Sequence, residues 1–211
     1  MGIFIKNIID EFNKYYNNEY KNEINIIYNN KNKEIDDDGK SRIFGIKFVV
    51  NNKNNIKLII NGKESELIEK YKLNEGDNNI KIIIKNKLID LEGMFKECES
   101  LKNIDELKYL DTKDINNFSG MFYECSSLLD IKPLQNWNVS NGNNFSYMFG
   151  CCSSLSDIKP LQNWNVSNGN NFRGMFNECL SLSDINHYKN GMYQMQIIFQ
   201  ICSMNVYHYQ I

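Results

Sequence analysis

Met-Phe occurs at Met94-Phe95, Met121-Phe122, Met148-Phe149 and Met175-Phe176, a step of 27 residues each time. The same step carries Cys98, Cys125, Cys152 and Cys179, then Leu101, Leu128, Leu155 and Leu182, then Ile104, Ile131, Ile158 and Ile185. A unit this short cannot bury its own apolar face, so a fixed period in this range requires each repeat to stack on the next. The array runs without linkers from about Leu88 and is expected to form a solenoid.

Within one unit, Leu155, Ile158 and Leu161 suit a short strand, while Phe145, Met148, Phe149 and Cys152 have helical spacing. One strand and one helical turn per repeat is the leucine-rich-repeat plan, which predicts a parallel sheet on one side and short helices on the other. Ahead of the array, Ile5, Ile8, Ile9, Phe12 and Tyr16 fall on one side of a predicted helix over residues 3–16. Glu23 to Tyr28, Ile56 to Ile60 and Asn79 to Lys85 read as strands, and Asn61-Gly62 signals a tight hairpin turn. The expected fold class is an α+β repeat protein: a small α+β N-terminal cap over 1–87 and a leucine-rich-repeat-like solenoid of four units over 88–186. A tail over 187–211 follows.

That tail loses the repeat. A fifth unit is due near Tyr188, yet the chain reads His187-Tyr188-Lys189-Asn190-Gly191. Back-translation with A/T-rich codons, read from the third base of the His187 codon, recovers it: 18 of 24 decoded residues equal residues 161–184. Some are forced, since the Met192-Tyr193 junction must yield GTA, valine, and Met204-Asn205 must yield GAA, glutamate. A single-base deletion or sequencing error near codon 186 is therefore expected. Such a tail was not selected to cover the last apolar layer, which leaves two alternatives: Ile197, Ile198 and Phe199 cover it by accident, or the edge stays exposed and favours self-association.

A net charge of −2 in 211 residues gives no global attraction for nucleic acid or an anionic membrane. No stretch approaches the ~18 consecutive apolar residues of a membrane span. Lys6, Asn7, Asp10 and Glu11 interrupt any export-signal pattern at the start, and Lys6 stands where an N-myristoylation motif after Gly2 wants Ser or Thr. A cytoplasmic location is expected, with thiols reduced and the sequons at Asn117, Asn138, Asn144 and Asn165 unused.

Four of the six cysteines recur once per repeat, so they form a column rather than the convergent tetrahedron zinc requires, and act as buried small hydrophobes. Trp137 and Trp164 have Leu110 as their equivalent in the preceding unit, which points to packing rather than a binding platform. The pairs Asn138/Asn165 and Asn144/Asn171 are expected to form amide ladders that satisfy turn backbone groups. Glu34 to Gly39 imitates a calcium loop, but its twelfth position is Gly45 rather than a bidentate glutamate, leaving a solvated turn. His187 and His208 lie in the out-of-register tail, and no Ser-His-Asp set, phosphate loop or dinucleotide fingerprint is present. The chain is expected to be no enzyme and to use no cofactor or metal.

Met-Phe-x-x-Cys-x-Ser-Leu-x-x-Ile, followed by Asn-Trp-Asn-Val-Ser-Asn, resembles the BspA-type leucine-rich repeat of mycoplasma surface proteins and protist repeat families over about residues 88–185. Phe44-Gly45-Ile46-Lys47-Phe48-Val49 resembles the leader of protist members. The resemblance implies protein binding or surface adhesion, with no catalytic residues. The leading expectation is a protein–protein interaction module whose outward strand positions Asp130, Lys132, Asp157 and Lys159 contact a partner. The alternatives are a truncated or decayed repeat protein without activity, and a cell-surface adhesin whose export signal is missing.

Overall fold

The fold comes from a computed structural model that describes residues 22–31 and 35–182. The predicted helix over 3–16 and the tail with His187, Cys202 and His208 lie outside the described residues.

Alternating apolar residues build the N-terminal sheet. Strands β1 (Glu23–Asn29), β3 (Ile56–Ile60) and β6 (Asp77–Ile84) bury Ile24, Ile26 and Tyr28, then Ile56, Leu58 and Ile60, then Ile80 and Ile82. The antiparallel register places Ile26 against Ile80, and Ile82 between Ile24 and Leu58, so one face is continuously apolar. Asn61 and Gly62, at φ 50° and 80°, turn β3 into β4 (Lys63–Glu66) as the dipeptide requires. That strand, Lys-Glu-Ser-Glu, is a charged edge. Strands β2 (Ser41–Arg42) and β5 (Lys70–Tyr71) form a separate antiparallel pair. Helix α1 (Ile46–Asn52) buries Phe48 and Asn52, leaving Ile46 and Val50 60% and 64% exposed.

The repeats correct the sequence expectation. Every named strand pairs antiparallel, the leucine-rich-repeat solenoid with its parallel sheet is absent, and α1 is the one α-helix among the described residues. The first repeat supplies β7 (Leu101–Asn103), which pairs antiparallel with β1 to complete the order β4-β3-β6-β1-β7. Later copies have no strand at this position. Where a strand was expected, Lys132–Leu134 and Lys159–Leu161 form 3-10 turns, each with a proline near its start that presets φ.

The segment expected to be helical is a chain of tight turns. Phe145–Met148 and Phe149–Cys152 each close by an N–H to carbonyl bond of 3.2 Å, with positive φ at the third residue, Tyr147 and Cys151. Gly93, Gly120 and Gly174 match Tyr147, while Glu97, Glu124 and Glu178 match Cys151. A positive φ every four residues is incompatible with an α-helix. The period of 27 reappears as stacking of these turns. Phe95, Phe122 and Phe149 donate N–H to the carbonyls of Met121, Met148 and Met175 at 2.8, 2.8 and 2.9 Å. Asp90, Asn117, Asn144 and Asn171 are joined by single parallel bridges.

The N-terminal unit joins this stack as its first layer. Phe44 lies 5.7 Å from Phe95, which begins a column through Phe122, Phe149 and Phe176 at 5.6, 5.5 and 5.6 Å. The Gly45 N–H bonds the Met94 carbonyl at 3.1 Å, and no Cβ fits there, because it would lie 2.1 Å from the Gly93 oxygen. A second column stacks Phe118, Phe145 and Phe172 at 5.2 Å. Trp137 and Trp164 stack at 6.4 Å, and their indole N–H groups bond the Leu107 and Leu134 carbonyls at 2.8 and 2.9 Å. Cys98, Cys125, Cys152 and Cys179 are buried behind the phenylalanine column.

Candidate functional site

Asp130, Lys132, Asp157 and Lys159 do come together, but not on a strand face. They open two successive 3-10 turns and, with Gln135, Gln162 and Asn163, line a shallow depression of about 290 Å³. Each aspartate caps its own turn: the Lys132 N–H bonds Asp130 at 2.7 Å and the Lys159 N–H bonds Asp157 at 2.9 Å. That use satisfies local backbone and leaves the lysines as exposed polar surface.

A larger groove, about 540 Å³, lies where the N-terminal unit meets the repeats. Gly45, Ile46 and Lys47 form one wall and Lys96, Tyr123 and Tyr147 the other, over a floor that includes Gly93 and Gly120. Its charges are largely neutralised. Arg42 pairs with Glu69 and lies 3.4 Å from Glu97, while Lys47 pairs with Glu92 at 2.7 Å. The hydrogen bond to Glu92 holds the Lys47 ammonium above its ordinary pKa. Lys96 sits 5.4 Å from the centre of the Tyr123 ring, and Tyr123 meets Tyr147 edge-to-face at 6.1 Å and 84°.

This aromatic pair is built at the expense of backbone freedom. Tyr147, at φ 54°, stands where three sister layers have glycine, in a region that costs a bulky residue about 1–2 kcal/mol. Two glycines make room for the rings: a Cβ on Gly174 would lie 2.4 Å from Tyr147, and one on Gly150 would lie 3.0 Å from Tyr123. The Tyr123 hydroxyl bonds Cys151, and that bond, with burial, raises its pKa well above the usual phenol range. Burial likewise raises the Cys151 thiol, whose sulfur lies 3.5 Å from Glu178.

Sequence reasoning missed this groove because its walls come from residues 42–47, 69, 92–97 and 119–147. One signal was available in the repeat alignment: a tyrosine interrupting the column Gly93, Gly120, Tyr147, Gly174. The other chemical candidates are structural. Burial raises the Cys98, Cys125 and Cys152 thiols, and Cys125 and Cys152 donate to the Phe95 and Phe122 carbonyls at 3.1 and 3.0 Å. Such thiols are poor nucleophiles. Both Asp36 oxygens are engaged, one by the Asp38 and Lys40 N–H groups and the other by the Lys70 ammonium. Among the described residues no cluster of three or more His, Cys, Asp or Glu side chains could hold a metal ion.

The family described as "Mycoplasma protein of unknown function, DUF285" matches residues 89–208, more than half of the chain and continuing past the point where the repeat loses register. No curated protein and no solved structure matches. No helix among the described residues is long and apolar enough to cross a membrane.

Proposed function

Because the chain belongs to the DUF285 family of Mycoplasma proteins of unknown function, we propose a role from its own surface: a non-catalytic protein-interaction module that binds its partner in the junction groove. The observation that carries this reading is Tyr147, a ring held in the groove by a backbone conformation that glycine adopts without strain in three sister layers. Tyrosine is enriched in binding hot spots; across the groove Ile46 is exposed, and Val50, also exposed, stands one helical turn along α1, which adds apolar surface for a partner to cover. Ion pairs occupy Arg42, Lys47, Glu69, Glu92 and Glu97, and the Cys151 thiol is held protonated, which favours recognition over acid–base chemistry. The likeness of the repeats to BspA-type surface proteins supports a binding role.

Recovery of partners from native cells tests this reading, using the tagged full chain, Tyr147→Gly and Ile46→Asp, each checked for folding by circular dichroism. A partner retained by the native chain and reduced about tenfold or more by both substitutions is expected; equal recovery with all three refutes the groove. The depression at Asp130, Lys132, Asp157 and Lys159 is the second face, favoured by the convergence of all four residues. Loss of the partner with Asp157→Lys/Lys159→Glu, and not with Tyr147→Gly, would select it.

A further inference from the structure

We infer that the tyrosine end of the junction groove receives a cationic side chain, the guanidinium or ammonium of a basic partner segment; this rests on the groove being the partner-binding face. The rings supply the first half of such a site. Aromatic faces attract cations through their quadrupole, and the Tyr123 face already holds one, the Lys96 ammonium at 5.4 Å. Tyr147 adds a second ring at right angles, in the space left by Gly174.

The second half is unneutralised negative charge at the same end. Glu69 and Glu97 are bridged by Arg42, Glu92 pairs with Lys47, and Lys96 also approaches Glu97 at 3.4 Å. Glu124 and Glu178 form no ion pair among the described residues. They occupy the same turn position in the layers on either side of Cys151. At a layer spacing of ~5 Å, their backbones lie roughly 10 Å apart. The intervening layer carries a small neutral thiol in place of glutamate. The Tyr123 hydroxyl bonds that thiol, whose sulfur lies 3.5 Å from Glu178, so the two carboxylates stand beside the tyrosine wall, just outside the groove's own lining.

Among the described residues the neighbouring layer offers one cation outside any ion pair, Arg173, whose carbonyl accepts the Tyr147 N–H; it is outnumbered by Glu124 and Glu178, which disfavour an anionic segment. A purely apolar one would leave them desolvated and unpaired. A cation gains from both carboxylates and from the rings, and its binding weakens as salt rises.

Fluorescence anisotropy on the full chain tests the proposal, with a fluorescein-labelled alternating Arg-Gly peptide of about eight residues against a matched Glu-Gly peptide. The Arg peptide is expected to bind at least about tenfold more tightly. Glu124→Gln/Glu178→Gln and, separately, Tyr147→Gly should each weaken it about tenfold. Glu64→Gln/Glu75→Gln, which removes the same charge at two exposed positions of the N-terminal unit that lie outside both faces, should leave it unchanged. Equal binding of the two peptides, or equal weakening by the Glu64/Glu75 variant, overturns the inference. If the Arg peptide fails while Tyr147→Gly still loses the cellular partner, the cation site falls and the groove stands. If the Arg peptide behaves as expected while Tyr147→Gly keeps the partner, the groove falls as the partner face and the cation site stands.

Discussion

Gly45→Ala should destabilise the chain although it adds a single methyl group at the buried N-cap of α1. Gly45 has φ −69° and ψ 143°, a conformation open to any residue, so glycine is required there only by space. Its Cβ would lie 2.1 Å from the Gly93 oxygen, 3.1 Å from the Lys96 Cβ and 3.2 Å from the Gly93 carbonyl carbon. Relief demands a shift of about 1.3 Å between two backbones, since ordinary contacts of this kind begin near 3.4 Å. The shift stretches the 3.1 Å bond from Gly45 to Met94 and lifts Phe44 from Phe95. Overpacking costs about 1–3 kcal/mol and a weakened buried hydrogen bond about 1 kcal/mol, so the expected loss is about 2–4 kcal/mol. Urea unfolding followed by tryptophan fluorescence measures it, with Gly120→Ala as comparison. Gly120 has φ 57° but open space, the nearest atom to its Cβ being 3.8 Å away, so only backbone strain of about 1 kcal/mol applies. A loss below about 0.5 kcal/mol for Gly45→Ala would refute the idea that residues 44 and 45 cap the stack.

Trp164→Phe leaves the Leu134 carbonyl without its indole donor and should cost about 1–2 kcal/mol by the same unfolding assay. The thiols Cys98, Cys125 and Cys152 titrate above the ordinary 9.0 in the folded chain, so the unfolded chain loses their protons first as pH rises. Stability from these groups is therefore constant below about pH 9 and falls above it, by up to about 1.4 kcal/mol per pH unit for each thiol. Alkylation of the native chain near neutral pH should spare all three, and labelling as fast as in urea would contradict their burial. Resequencing across codon 186 should show an additional base that restores the repeat beyond Asn186; the same frame in independent transcripts would refute the deletion.

Features that depend on one repeat equalling another were legible in the residues. The cysteine column is buried and the Trp137–Trp164 pair packs as its Leu110 counterpart implies. The amide ladders are absent among the described residues: the Asn138, Asn144, Asn165 and Asn171 side-chain oxygens accept from the Ser140, Ser146, Ser167 and Arg173 N–H groups of their own turns, and only the Asn144 and Asn171 backbones bridge layers. Asn61-Gly62 turns a hairpin because both residues tolerate positive φ. The interior of the repeat was misread, since Phe145, Met148, Phe149 and Cys152 have a spacing shared by a helix and by linked four-residue turns. Only the glycines at 93, 120 and 174 distinguish the two. Likewise Leu155, Ile158 and Leu161 recur every third residue, the period of a 3-10 turn rather than of a strand, and Pro160 presets that turn. The four charged residues chosen as a contact face came together through that turn rather than a strand. The junction groove lay beyond sequence reasoning because stacking alone brings Ile46 opposite Tyr123 and Tyr147.

Site-specific photo-crosslinking in native cells tests the functional account most directly. A benzoylphenylalanine at Ile46, 60% exposed on the groove wall, is compared with one at Leu129, 67% exposed beside Asp130. The two report on the two candidate faces from equally accessible positions. The account predicts a discrete protein adduct from position 46, lost with Tyr147→Gly, and none from position 129. An adduct from position 129 alone would contradict it.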